Sequence, residues 1–259
     1  AATRRTSDSG YEREKLYREL LMLPAYVIHA KSLSERADHI RAELDRAGIV
    51  FEWVADFDAD QITPEIDAAY FQPDANLTPG QKSCALKHIT AMQRICERQQ
   101  DVALVFEDDA FLVPDFVGRL RQVLVEAERW PRPRILHLGA ATNFYTPASQ
   151  LEPGRLIYEG SRVRNMEAYA LGAIEARARL DWIARNRMNE PIDIAFNYGD
   201  VEMGIPFLWP EPPLAEQGSL NGVFKSSLDI KRRSQLQLRI QFAIQKFRRR
   251  YVKRWFNVD

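Results

Sequence analysis

Three carboxylates follow one another where an apolar run stops: Leu104-Val105-Phe106 leads straight into Glu107-Asp108-Asp109. The five apolar residues Val102–Phe106 have the pattern of a strand buried on both faces. In an open α/β sheet, ligands sit beyond the carboxyl ends of such strands. Side chains alternate along extended chain, so Glu107 and Asp109 share one side and Asp108 takes the other. Neighbouring carboxylates repel one another unless a cation compensates them. An i, i+2 acidic pair suits Mg²⁺ or Mn²⁺, which take oxygen ligands and commonly share them with substrate phosphates. The competing reading is an acidic turn whose carboxylates cap the helix that follows.

Other routes to phosphate chemistry are missing. Thr78-Pro79-Gly80-Gln81-Lys82-Ser83 has the residue types of a P-loop in the wrong spacing, and there is no GxGxxG. A diphosphate, if bound, is therefore held by metal rather than by a glycine cradle. Cys84 and Cys96 are the only cysteines in the sequence. They cannot build a disulfide framework, so the expected setting is a reducing, cytoplasmic one with both thiols buried. No CxxC occurs, which sets aside a structural zinc fold. No apolar run approaches the roughly 20 residues that span a bilayer.

The elements that must position these residues read as α/β. Ala25–His29 and Ile49–Val54 are expected strands around a helix over Ser32–Ala47, capped by Ser32 or Ser34 and closed by Gly48. That order predicts a parallel βαβ unit. A short helix is expected over Pro64–Tyr70, and a longer one from the Thr78-Pro79 cap to about Arg98. Pro114 should open a helix to Arg129, followed by a strand at Ile135–Leu138. Beyond it a strand is expected at Ala168–Ile174 and helices at Glu175–Asn186 and Pro191–Tyr198. Pro206–Gly222 reads as loop. The simplest division is a lead-in over 1–24, one domain over 25–230 and a tail over 231–259.

Several blocks resemble glycosyltransferase family 25, the lipooligosaccharide-type galactosyltransferases. Tyr26-Val27-Ile28-His29 with Ser34-Glu35-Arg36 is similar to the family's opening, and Leu77 to His88 to its second block. Ala103 to Asp109 resembles the acidic block most closely. Weaker echoes occur at Ala168–Ala173, Pro191-Ile192-Asp193 and Ser226–Ile230, so the blocks run in family order over about 25–230. The resemblance implies a GT-A-like, Rossmann-type mostly parallel sheet flanked by helices. It also implies a UDP-sugar donor (UDP-galactose or a relative), Mn²⁺ or Mg²⁺, and inversion at the anomeric carbon. On that resemblance Asp109 is the principal metal ligand and Glu107 lies by the donor ribose or the metal, while Asp108 touches sugar or metal. Arg36 fixes the first loop near the nucleotide. Apart from the resemblance, His29 at its strand end is a candidate to face the donor, and His88 either reaches the nucleotide or is a hydrogen-bonded helix residue.

The sequence departs from the family in three places. His29 stands for the usual Asn, Gln81 for an acid, and Lys87 for the Ser before His88. Gln81 keeps the size and hydrogen bonding of the acid but loses its charge. These changes leave open a different donor, a different acceptor, or an idle nucleotide-binding module. Transfer needs a carboxylate to take the acceptor proton, and the candidates are Asp193, Asp200 and Glu202. Asp193 is favoured for its family-like block; its competing role is an acid set against a helix dipole. His137 and Tyr169 are read as structural.

The 36 basic and 36 acidic side chains are unevenly placed. Residues 231–259 hold ten Lys/Arg against Asp259 alone, a net of +9, which leaves −9 on the rest. Within that tail Leu236, Ile240, Ala243, Ile244, Phe247, Tyr251 and Trp255 recur at helical spacing. A basic amphipathic helix of this kind suits the anionic inner face of a membrane, where a glycan or glycolipid acceptor would be met. The alternatives are packing on the domain or on a twin subunit. Nucleic acid is disfavoured, because no recognition motif accompanies the charge.

Overall fold

The computed structural model describes residues 22–140, 145–160, 165–219, 221–224 and 235–253. The expected lead-in, the echo at Ser226–Ile230 and Trp255 lie outside them. A seven-stranded sheet has the order β2-β1-β3-β7-β5-β8-β6. Its strands are β1 (Ala25–Ile28), β2 (Glu52–Val54), β3 (Ala103–Glu107), β5 (Ile135–His137), β6 (Ile157–Gly160), β7 (Ala168–Leu171) and β8 (Phe207–Pro210). Strands β2, β1, β3, β5 and β8 run one way, and β7 and β6 run against them. β1 pairs in parallel with both β2 and β3, so the βαβ opening forms as expected.

Period-two alternation divides the core between the faces of this sheet. Tyr26, Ile28, Val105 and Tyr169 pack on one side with helices α3 (Pro79–Glu97), α5 (Ala173–Asn186) and α6 (Ile192–Glu202). Ala25, Val27, Leu104, Phe106 and Ala170 pack on the other with α1 (Ser34–Ala47) and α4 (Phe116–Ala127). Both faces are thus covered by helices, which makes the domain α/β. The short helix α2 (Pro64–Tyr70) lies where the sequence places it, capped by Thr63.

Three local expectations are corrected. Neither Ser32 nor Ser34 caps α1; Leu33 occupies the cap position, and its carbonyl accepts from the Arg36 and Ala37 amides. Pro114 does not open α4, which starts at Phe116 after Asp115 in a left-handed conformation. The segment 206–222 is not a loop. It contains β8, whose prolines fall at its edges around the buried Phe207-Leu208-Trp209, and β9 (Ala215–Gln217). β9 pairs antiparallel with β4 (Ala110–Leu112), the strand that follows the acidic turn, bringing Gln217 opposite Ala110.

Helix α7 (Gln235–Phe247) runs on into a π-helical turn over Arg248–Lys253. Ile240, Ile244, Phe247 and Tyr251 are all at least half exposed, so the domain does not cover this stripe. Polar contacts hold the helix instead: Arg239 donates to the Gly222 carbonyl, and Lys246 pairs with Glu216 of β9.

Candidate active site

The carboxyl ends of β1 and β3 open into a cleft of about 640 Å³, bordered by His29, Arg36, Lys87, Glu107 and Asp108. A second cavity of about 330 Å³ adjoins it, bordered by Gln81, Asn165, Asp193 and Gln217. Cys84 and Glu107 border both. The strand β3 therefore delivers Glu107 to the junction of two compartments.

The three acids have separate partners. Asp108 accepts from Arg36 at 3.1 Å and lies 2.8 Å from His29 Nδ1. His29 is backed by the Trp53 ring at 4.9 Å, and Arg36 lies over Phe224 at 5.5 Å. Glu107 turns to the other side, where Gln217 donates to it at 3.1 Å and His88 Nε2 lies 3.4 Å away. Asp109 accepts from the Ser219 amide at 2.9 Å, while the Gly218 amide holds its carbonyl at 2.8 Å. Glu107 and Asp109 thus address the β9 side and Asp108 the β1–α1 side, with Arg36 also 3.7 Å from Asp109.

One guanidinium does not neutralise this cluster. Burial, Asp109 and Asp108 push the Glu107 carboxyl well above the ordinary carboxylate range. Burial raises Asp109 too, against the pull of Arg36 and the Ser219 amide. Asp109 Oδ1 is buried without a hydrogen-bond partner among the described residues. Oxygen donors with uncompensated negative charge fit a hard divalent ion that is also bound by substrate phosphates.

The departures from the family pattern have local explanations. Gln81 closes a capping box at the start of α3: its side-chain oxygen accepts from the Thr78 amide at 2.9 Å, and its own amide donates to the Thr78 hydroxyl at 3.2 Å. Glutamine performs this task without charge. Lys87, 1% exposed, donates to Ser83 at 2.7 Å, Asp58 at 2.9 Å and the Phe57 carbonyl at 3.2 Å. It ties the loop walling the cleft to α3. His88 is fully buried, and burial followed by the Arg179 charge drives its pKa down to about 3, so the ring is neutral.

The three candidate bases separate. Asp193 borders the second cavity from the first turn of α6, and burial raises its carboxyl. Asp200 borders neither cavity; it is buried and gripped by Arg179 at 3.0 and 2.6 Å. Glu202 accepts from the Trp182 indole at 2.7 Å and is likewise outside both. Gln217 and Asn165 are site residues that sequence reasoning did not single out, and the clamp made by Lys87 was not foreseen from its departure alone. Cys84 and His88 are four apart on one helix, a spacing that could have flagged them as sharing a face.

An α/β sheet with its polar side chains gathered beyond the carboxyl ends of β1 and β3 is arranged to bind a ligand there. The model of glycosyltransferase family 25, described as an LPS biosynthesis protein, matches residues 22–153, just over half of the chain. The chain belongs to glycosyltransferase family 25. It is also similar to the lipooligosaccharide biosynthesis protein lic2B of Haemophilus influenzae, 33% identical over 92 residues. That stretch is 34% of this chain and 34% of the relative, so the chain spans about a third of the relative's length. The second cavity straddles the boundary of the family match: Gln81, Cys84 and Glu107 lie within the matched residues, and Asn165, Asp193 and Gln217 lie beyond them.

Proposed function

We propose that this enzyme has a GT-A-like fold and moves a hexose, galactose being favoured, from a UDP-sugar to a hydroxyl of a surface-glycan or lipooligosaccharide acceptor, with inversion and with a divalent ion. The observation that carries the reading is the meeting of two cavities at Glu107. The larger, with Arg36, His29 and the acidic turn, suits the nucleotide diphosphate. The smaller, with Asp193, suits the acceptor. Glu107 and Asp109 would hold Mn²⁺ or Mg²⁺, which when bound neutralises charge on the leaving diphosphate.

The chain's own residues supply the rest. Arg36 and His29 fix Asp108, and the Lys87 clamp fixes the wall of the donor cleft. Inversion requires the acceptor hydroxyl to approach from the face opposite the diphosphate, and two adjoining cavities permit that approach. Asp193 takes the acceptor proton; a carboxyl raised by burial is a better base near neutral pH than an exposed one.

Calorimetry with a panel of nucleotide sugars, each with and without Mn²⁺, tests the donor site. Binding of one UDP-sugar only with metal supports the reading, and silence across the panel overturns it. Asp193→Asn should retain donor binding and lose transfer by about a hundredfold or more. Full transfer by that variant would remove Asp193 as the base.

The exposed apolar stripe of α7, set among basic residues, supports docking to an anionic membrane surface. No helix among the described residues is long and apolar enough to cross a membrane. Flotation with anionic vesicles should carry the full chain and leave a chain ending before 231 behind. Equal flotation of both sinks the anchor.

A further inference from the structure

At the junction of the two cavities, Cys84, His88 and Glu107 bring a sulfur, a ring nitrogen and a carboxylate oxygen within 4.8 Å of one another. Two helical positions four apart supply the first two, and the end of β3 supplies the third. From this arrangement we propose a second cation site, selective for a borderline divalent ion such as Zn²⁺, which shares Glu107 with the oxygen site of Glu107 and Asp109 and differs from it in its sulfur and nitrogen donors. Zinc accepts this mixed donor set, and three protein ligands with one open position is its usual arrangement in reactive sites. Hard ions prefer oxygen, so the thiol makes the two sites chemically different.

Each donor except the thiol is already oriented by an outer partner, as metal ligands generally are. His88 Nδ1 is 3.0 Å from the Tyr169 hydroxyl, which leaves Nε2 facing Glu107. Gln217 donates to the far oxygen of Glu107. Tetrahedral bonds of zinc length place ligand atoms about 3.3–3.8 Å apart, so the cluster must contract by about 1 Å. Rotation of Cys84 and of Glu107, both partly exposed to the cavities, accomplishes this. Binding involves no redox change. The Cys84 S–H bond breaks, its proton passes to solvent with any proton held by Glu107, and the thiolate bonds the ion.

The consequence for the enzyme is competition. A Glu107 turned toward Cys84 and His88 is drawn away from Asp109, so zinc weakens the oxygen site and inhibits transfer. The binding itself does not depend on the transferase reading.

Cobalt titration of the full chain reports the site directly. The expected result is one equivalent of tetrahedral Co²⁺ with a thiolate-to-cobalt charge-transfer band, bleached when Zn²⁺ displaces it. Cys84→Ser should lose that band and Cys96→Ser should keep it. Glu107→Gln should keep the band with affinity at least about tenfold weaker, which provides a second variant if Cys84→Ser does not fold. Absence of the band in the folded wild type, its persistence in Cys84→Ser, or unchanged affinity in Glu107→Gln would each overturn the site. The donor panel is read separately, so either proposal can fail alone.

Discussion

Replacing Asp200 by alanine strips the counter-ion from a guanidinium with no route to water. Arg179 is 0% exposed and Asp200 2%, and two bonds of 3.0 and 2.6 Å join them. The guanidinium lies 4.3 Å from the Phe196 ring centroid and 5.9 Å from that of Tyr169, and its third nitrogen has no hydrogen-bond partner among the described residues. Nothing nearby therefore takes over the charge. Breaking a buried pair from one side costs about 3–5 kcal/mol. For a chain of this size that lowers the melting temperature by roughly 6–20 °C. The double variant Arg179→Met/Asp200→Leu removes both charges and should recover most of the loss, because a well-packed apolar replacement is often neutral. Denaturant midpoints of wild type, single and double variants provide the assay. A single-variant loss under about 1 kcal/mol would place the pair with solvent-screened surface bridges and refute the argument. So would a double variant no better than the single.

Two further outcomes follow from the site. Glu107→Gln should leave metal-free stability unchanged in acid and raise it above wild type as pH climbs past the ordinary glutamate value of 4.5, since the native carboxyl resists an ionisation that the unfolded chain undergoes freely. Melting curves across pH check this; a variant less stable than wild type at neutral pH would mean that Glu107 is not strained by its acidic neighbours. Gln81→Ala should cost about 1 kcal/mol by opening the capping box of α3, and an unchanged denaturant midpoint would show that the Thr78 hydroxyl suffices.

Local signals in the sequence account for much of the frame. The Thr78-Pro79 start of α3, the Gly48 stop of α1 in its left-handed conformation, and the buried β3 leading into acid all depend on residues within a few positions of one another. The departures at Gln81 and Lys87 were visible, but their meaning was not. The cap formed by Gln81 is local, whereas Lys87 reaches Asp58 across 29 positions. Asp200 and Glu202 read as free acids because their partners, Arg179 and Trp182, lie on a different helix.

The segment after β8 shows why the rest was hidden. Prolines at 206, 210, 212 and 213 suggest a loop, yet the chain between them forms one strand of the main sheet and the chain just after them one of the β4–β9 ribbon. That ribbon places Gln217 on Glu107 and the Gly218 and Ser219 amides on Asp109. Its Glu216 and the Gly222 carbonyl on the same segment receive Lys246 and Arg239 of α7. One short stretch therefore touches both the acidic turn and the basic helix. No pattern within residues 206–222 encodes that double contact, because each half of it is written in a distant part of the chain.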